Sequence, residues 1–287
     1  MQVRLLIYLT AMLPILWLQP LHTKAQEMGA SPVCYTHYLG VGSVNILDTY
    51  LSPYAFDGTE IAGSTTTYRP LRTRRSRAKQ EDAHLSGTKD YSRWTIASRY
   101  GINLARAFSP TKDYKYYDAA LSASASIRRK WDVSKAFRLE VGPQAELGLG
   151  GTYKSSGGNN PASARALVGL GLSAAAIYSL QIKNRPYRAM LCVDIPLLSV
   201  QFTPRYGESY YEIFELEHHK HVVRMATIGN APSMYLTAGI SIPLKSASIV
   251  MGYEADVRQS HLSGIKYHKW GNAFILGWSR NLFIQRR

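Results

Sequence analysis

A two-residue rhythm sustained over unusually long runs restricts this chain more than any other feature. The segment ALVGLGLSAAAIYSLQI, Ala166 to Ile182, carries no charged residue. One alternate set, Ala166, Val168, Leu170, Leu172, Ala174, Ala176, Tyr178, Leu180 and Ile182, is wholly apolar or aromatic. The other, from Leu167 and Gly169 to Ser179 and Gln181, is mostly small or polar. Successive side chains of a strand point to opposite faces, so the two sets make a greasy face and a small-polar face. A helix would mix them around its surface and hold two internal glycines, each costing about 1 kcal/mol relative to alanine.

The rhythm recurs along the chain. Trp94, Ile96, Tyr100, Ile102 and Leu104 alternate with Arg93, Thr95, Arg99, Gly101 and Asn103. Phe137, Leu139, Val141, Ala145, Leu147 and Leu149 alternate with Arg138, Glu140, Gly142, Gln144, Glu146 and Gly148. The final run sets Phe274, Leu276 and Trp278 against Gly277, Ser279 and Asn281. Globular strands average about five or six residues. A tilted strand needs about 9–11 to cross lipid, and a soluble sandwich turns every 8–12 residues or so. The length therefore predicts an all-β fold, an antiparallel transmembrane β-barrel, because only a closed sheet satisfies its backbone in hydrocarbon.

Ten strands are predicted, at about 43–52, 59–71, 91–108, 115–131, 136–152, 164–182, 187–202, 233–243, 246–258 and 270–284. Twelve follow if His221–Ile228 crosses as half of an extra hairpin. The tight connections Asp132–Ala136, Lys183–Pro186 and Leu244–Ser246 all fall on the side of the termini, which is the periplasmic side if short turns face inward. Ser155–Ser163, Thr203–Pro232 and Ser260–Lys269 become outer loops, and the long basic connection Leu71–Asp90 is the exception.

The first residues, MQVRLLIYLTAMLPILWLQPLHTKAQ, have a basic start, a short apolar stretch and small residues at Thr23 and Ala25. That is the layout of a signal peptide over 1–25, leaving a single barrel domain over 26–287. Removing Arg4 and Lys24 lowers the formal net charge from +15 to +13. A basic exported chain suits phospholipid or lipopolysaccharide phosphates or acidic partners, and nucleic acid is excluded by compartment. Cys34 and Cys192 lie far apart, and both a bridge and two small hydrophobes fit them.

Four groups of residues could carry function. The predicted interior holds Arg99, Arg128, Arg138, Glu140, Glu146, Arg188, Asp194, Glu254, Asp256 and Arg258. A barrel of this size leaves little room beyond its side chains, so these are expected to form a lumen-filling salt-bridge network. In the long outer loop, Glu217, His219 and His221 are weak candidates for a metal, with no distant ligand pair to complete a site. They also keep open a hydrolase at the barrel rim. The run RTRRSRAK offers Arg72, Arg74, Arg75, Arg77 and Lys79 to phosphates or an acidic partner. Tyr206, Tyr210, Tyr211 and Phe214 in RYGESYYEIF suit sugar or protein contact, or a lid over the barrel mouth.

The stretches GVGSVNILDTYLSPYAFDG (Gly40–Gly58), NNPASARA (Asn159–Ala166) and PLLSVQFTPRYGESYYEIF (Pro196–Phe214) resemble the hallmark segments of an uncharacterised Bacteroidota outer-membrane family, a domain of unknown function. The resemblance implies a Gram-negative outer membrane and supplies no catalytic residue. The expectation is a scaffold or accessory subunit of an outer-membrane assembly. It would need no cofactor, would be inserted by the barrel-assembly machinery, and would meet other outer-membrane or periplasmic proteins. A rim hydrolase and a small pore are the alternatives.

Overall fold

The computed structural model of the protein describes residues 32–71, 92–155, 161–182, 185–207, 209–215, 222–244 and 247–283. The predicted signal segment, the basic run 72–79 and the Glu217, His219 and His221 group lie outside the described residues. The strands are β1 (Pro32–Asp48), β2 (Phe56–Pro70), β3 (Trp94–Phe108), β4 (Lys115–Asp132), β5 (Phe137–Lys154), β6 (Ala162–Ile182), β7 (Arg185–Phe202), β8 (Val223–Thr227), β9 (Met234–Pro243), β10 (Ser248–Leu262) and β11 (Ile265–Phe283). Among the described residues a short helix, α1 (Tyr210–Phe214), lies between β7 and β8. No helix among the described residues is long and apolar enough to cross a membrane.

Each long strand pairs antiparallel with its neighbours, and the sheet closes where β1 pairs β11 from Pro32↔Phe283 to Asp48↔Tyr267. The ring has ten staves. Strand β7 pairs with β9 over Arg188–Asp194 and with β8 over Leu198–Phe202. β8 and β9 are therefore two halves of one stave, interrupted at 228–233, and the twelve-strand count does not arise. Pro196 sits at the changeover on β7, where the register with β6 shifts at Leu170/Gly171. A proline has no N–H to give a ladder, so a bulge is where a strand tolerates it.

Two regions depart furthest from the sequence expectation. Strand β1 begins at Pro32, well before position 43. Its loop end, Val44 and Ile46, points its apolar side chains inward, against the rhythm of the lipid-crossing part. The expected outer loop Ser260–Lys269 is a two-residue hairpin between Leu262 and Ile265. Ser263 (φ 53°) and Gly264 (φ 79°) are both left-handed, the geometry of a type I′ turn that matches the twist of its flanking strands. The strand ends joined by 133–136, 183–184 and 244–247 all lie at the end of the barrel that holds the start of β1 and the finish of β11, as expected.

The outer wall is the greasy set: Leu121, Leu149 and Leu170 are 54%, 61% and 61% exposed. On β4 the outward residues from Tyr117 to Ile127 are apolar, and Lys115 and Arg129 flank them. The ten steps from Tyr117 to Ile127, at about 3.3 Å each and tilted by about 40°, span about 25 Å, the height of an outer-membrane apolar band. Exposed Trp131, Tyr178 and Trp278 ring the terminus end of this band, and Tyr117, Tyr153 and Trp270 its loop end. Such aromatic girdles sit at membrane–water boundaries. Beyond the loop-end girdle the polarity inverts. Val44, Ile46, Phe56, Ala105, Ala107 and Tyr116 form a small internal core, with Phe56 stacked on Tyr116. Outside it, Asn45 donates to Asp57 at 2.7 Å.

Candidate functional site

Between that core and the terminus end, the inside of the barrel is ionic. The loop half is organised by two bases. Lys269, 2% exposed, lies 2.7 Å from Glu60 and 3.1 Å from Asp118. Arg165 pairs with Asp118 and, at 3.7 Å, with Asp48, and lies over the Tyr267 ring at 4.4 Å. Thr152 donates to Asp118 at 2.7 Å and accepts from Arg165 at 2.7 Å. Six strands, β1, β2, β4, β5, β6 and β11, are thereby tied across the lumen. Gly271 makes room for this arrangement, since a Cβ there would stand 2.5 Å from a Glu60 carboxylate oxygen.

Arg258 forms the next layer, donating to Glu146 at 3.1 Å and to Asp256 at 2.8 Å. Arg99 lies 3.5 Å from the centre of the Tyr235 ring, whose hydroxyl donates to Glu254 at 2.5 Å. A buried charge survives only when paired and hydrogen-bonded, and here each guanidinium has a carboxylate or an aromatic face to meet. Lower down, Arg128 lies over Tyr68 at 5.3 Å and donates to the Cys192 sulfur at 3.9 Å. Cys192 and Cys34 are both free thiols. Thr95 donates to Glu140 at 3.3 Å, and Ser173 to Asp194 at 2.6 Å. The space left is small: a pocket of about 110 Å³ in the loop half and one of about 30 Å³ in the middle.

At the terminus end the described residues leave a wider space. A concavity of about 320 Å³ is lined by Lys130, Arg138 and Arg188, with Glu140, Ile177 and Met190. At the loop end the chain folds inward instead. Ser209 caps α1: its hydroxyl accepts from the Glu212 N–H, while the Glu212 carboxylate accepts from the Ser209 N–H at 2.7 Å. Ile213 is buried beneath, and Tyr206 N–H donates to the Ser263 carbonyl at 3.4 Å.

Of the residues expected in the lumen, Arg99, Glu140, Glu146, Asp194, Glu254 and Asp256 all face inward in these layers. Arg138 does not join the network. It lies near the 133–136 turn, where its half-exposed side chain pairs with exposed Asp132 at 2.7 Å. Among the aromatic candidates, Tyr206 and Tyr211 are exposed. Tyr210 is occupied: its hydroxyl accepts from the Ala164 N–H at 2.5 Å, its ring meets Tyr50 edge-on, and burial pushes the hydroxyl pKa up. The Phe214 side chain lies outside what the structure describes. No group of three or more metal-ligating side chains occurs among the described residues. Sequence reasoning missed Asp48, Glu60, Asp118, Arg165 and Lys269. Parity alone reaches most of them, since Asp118 shares a set with Ala120, Ser122 and Ser124. Lys269 was hidden by its assignment to a loop.

Several solved barrels are similar. The outer membrane protease OmpT from Escherichia coli superposes with a TM-score of 0.48 at 6% identity, covering 90% of this chain and 100% of that one. The translocator domain of autotransporter NalP from Neisseria meningitidis gives 0.40 at 10% identity, covering 95% and 96%. The COG4313 outer membrane channel from Pseudomonas putida F1 gives 0.35 at 8% identity, covering 90% and 98%. Closure of the sheet, rather than these likenesses, identifies the fold. No curated protein matches the chain. One family model, described as a protein of unknown function (DUF3316), matches residues 5–287.

Proposed function

This chain belongs to that family of proteins of unknown function, DUF3316, and from that premise we propose that it is an outer-membrane scaffold, an accessory subunit whose ends rather than its lumen do the work. One observation carries this: the ion pairs around Lys269, Arg165 and Arg258 cross the lumen and join strands on opposite walls. A barrel used as a conduit keeps a continuous aqueous path, whereas cross-lumen ion pairs fix the staves against one another. The exterior, with its apolar band and aromatic girdles, holds the protein in the membrane. The three tight turns support periplasmic termini in a Gram-negative envelope.

Single-channel recording in planar bilayers tests this. The purified protein is expected to stay silent over the usual voltage range, and stepwise conductance would overturn the scaffold reading in favour of a pore. Extraction of the tagged protein from native membranes in mild detergent is expected to bring a partner with it at constant stoichiometry.

A further inference from the structure

Resting on the accessory-subunit reading, we propose that the mouth at the terminus end is a docking pocket for an acidic peptide segment of a partner protein, its carboxylates interleaved with apolar side chains. The concavity there measures about 320 Å³, within the lower range of ligand pockets, which run from about 300 to 1,000 Å³. Charge inside the barrel is unevenly shared. In the loop half, six carboxylates share four bases. In the mouth the balance reverses: Arg69, Lys130, Lys135, Arg138 and Arg188 line it with Asp132 and Glu140. Arg138 already holds Asp132, and Glu140 accepts from Thr95. Arg188 is exposed in the mouth and forms no salt bridge among the described residues.

The lining selects the ligand. Arg188 alternates with Met190 and Cys192 on the inward set of β7, so its guanidinium is reached from the aqueous end, not by bilayer lipid, which meets the outward set. A dense polyphosphate would face Asp132 and Glu140 at close quarters and gain nothing from Ile177 and Met190. A spaced carboxylate meets a guanidinium fork with two parallel hydrogen bonds, and an apolar neighbour in the peptide covers Ile177 and Met190.

The test uses the full-length protein in detergent micelles and a fluorescein-labelled peptide alternating glutamate and leucine, read by anisotropy. Saturable binding is expected, weakening as salt is added. The pair Arg188→Gln and Lys135→Gln is expected to raise the Kd by at least about tenfold, a loss typical of charge-assisted bonds. Lys266→Gln, an exposed change at the loop end, should leave it unchanged. Both altered residues are accessible to solvent, and a β-type circular dichroism spectrum with heat-modifiable gel mobility confirms that each variant folds. Absence of saturable binding, equal binding by the double variant, equal binding of a glutamine–leucine peptide, or stronger binding of inorganic polyphosphate would each overturn the proposal. If the peptide fails while a partner still co-purifies, the subunit reading stands and its contact lies elsewhere.

Discussion

Replacing Lys269 with methionine isolates the energetic logic of the lumen. The ammonium of Lys269 touches two carboxylates, Glu60 at 2.7 Å and Asp118 at 3.1 Å, and all three side chains are at most 2% exposed. The two acids do not suffer equally when it goes. Asp118 keeps Arg165 and the Thr152 hydroxyl. Glu60 loses its one ion pair among the described residues. Breaking a buried pair from one side costs about 3–5 kcal/mol, because a charge is left in low dielectric without a counterion. Adding Glu60→Gln to Lys269→Met removes that charge, and the remaining cost falls to about 1–2 kcal/mol for hydrogen bonds lost. A double-mutant cycle should therefore give a coupling of about 2–3 kcal/mol between positions 60 and 269, increased by whatever Glu60→Gln costs alone. Urea unfolding in phospholipid vesicles, followed by tryptophan fluorescence, measures it. A coupling below about 0.5 kcal/mol, the range of independent sites, would refute the claim that these residues form one buried ionic unit.

Two further expectations follow from the same packing. Gly271→Ala places a methyl 2.5 Å from the Glu60 carboxylate and should destabilise by about 1–3 kcal/mol, with a smaller loss in a Glu60→Asp background, read by the same unfolding assay. Tyr210→Phe removes the acceptor of the Ala164 N–H. Global unfolding should stay within error, while proteolytic nicking of the segment after β7 accelerates several-fold, as expected for about 1 kcal/mol lost from loop docking.

Sequence alone determined the class of fold and the inside-out assignment of most wall residues, because alternation over long runs has one stable solution in lipid: a sheet with no edges. Leu121, Leu149 and Arg99 could be placed by parity before any coordinate was known. Other features required the tertiary structure. Parity assigns a face but not a depth or a partner, so it put Arg138 in the same set as Glu140 without showing that one ends at the rim and the other is buried. It failed where polarity inverts above the membrane, at Val44 and Ile46, since an apolar side chain there packs against Phe56 and Tyr116 rather than lipid. It also treated Ser263-Gly264 as part of a loop, which hid Lys269 from the strand that carries it inward. Which acid meets which base is decided by the closure of ten staves, and that brings Glu60, Asp118 and Lys269 together from positions more than 200 residues apart at the extremes. Long-range pairing of that kind is written in no local pattern, because the energy that fixes it exists only once the sheet has closed and water has left the lumen.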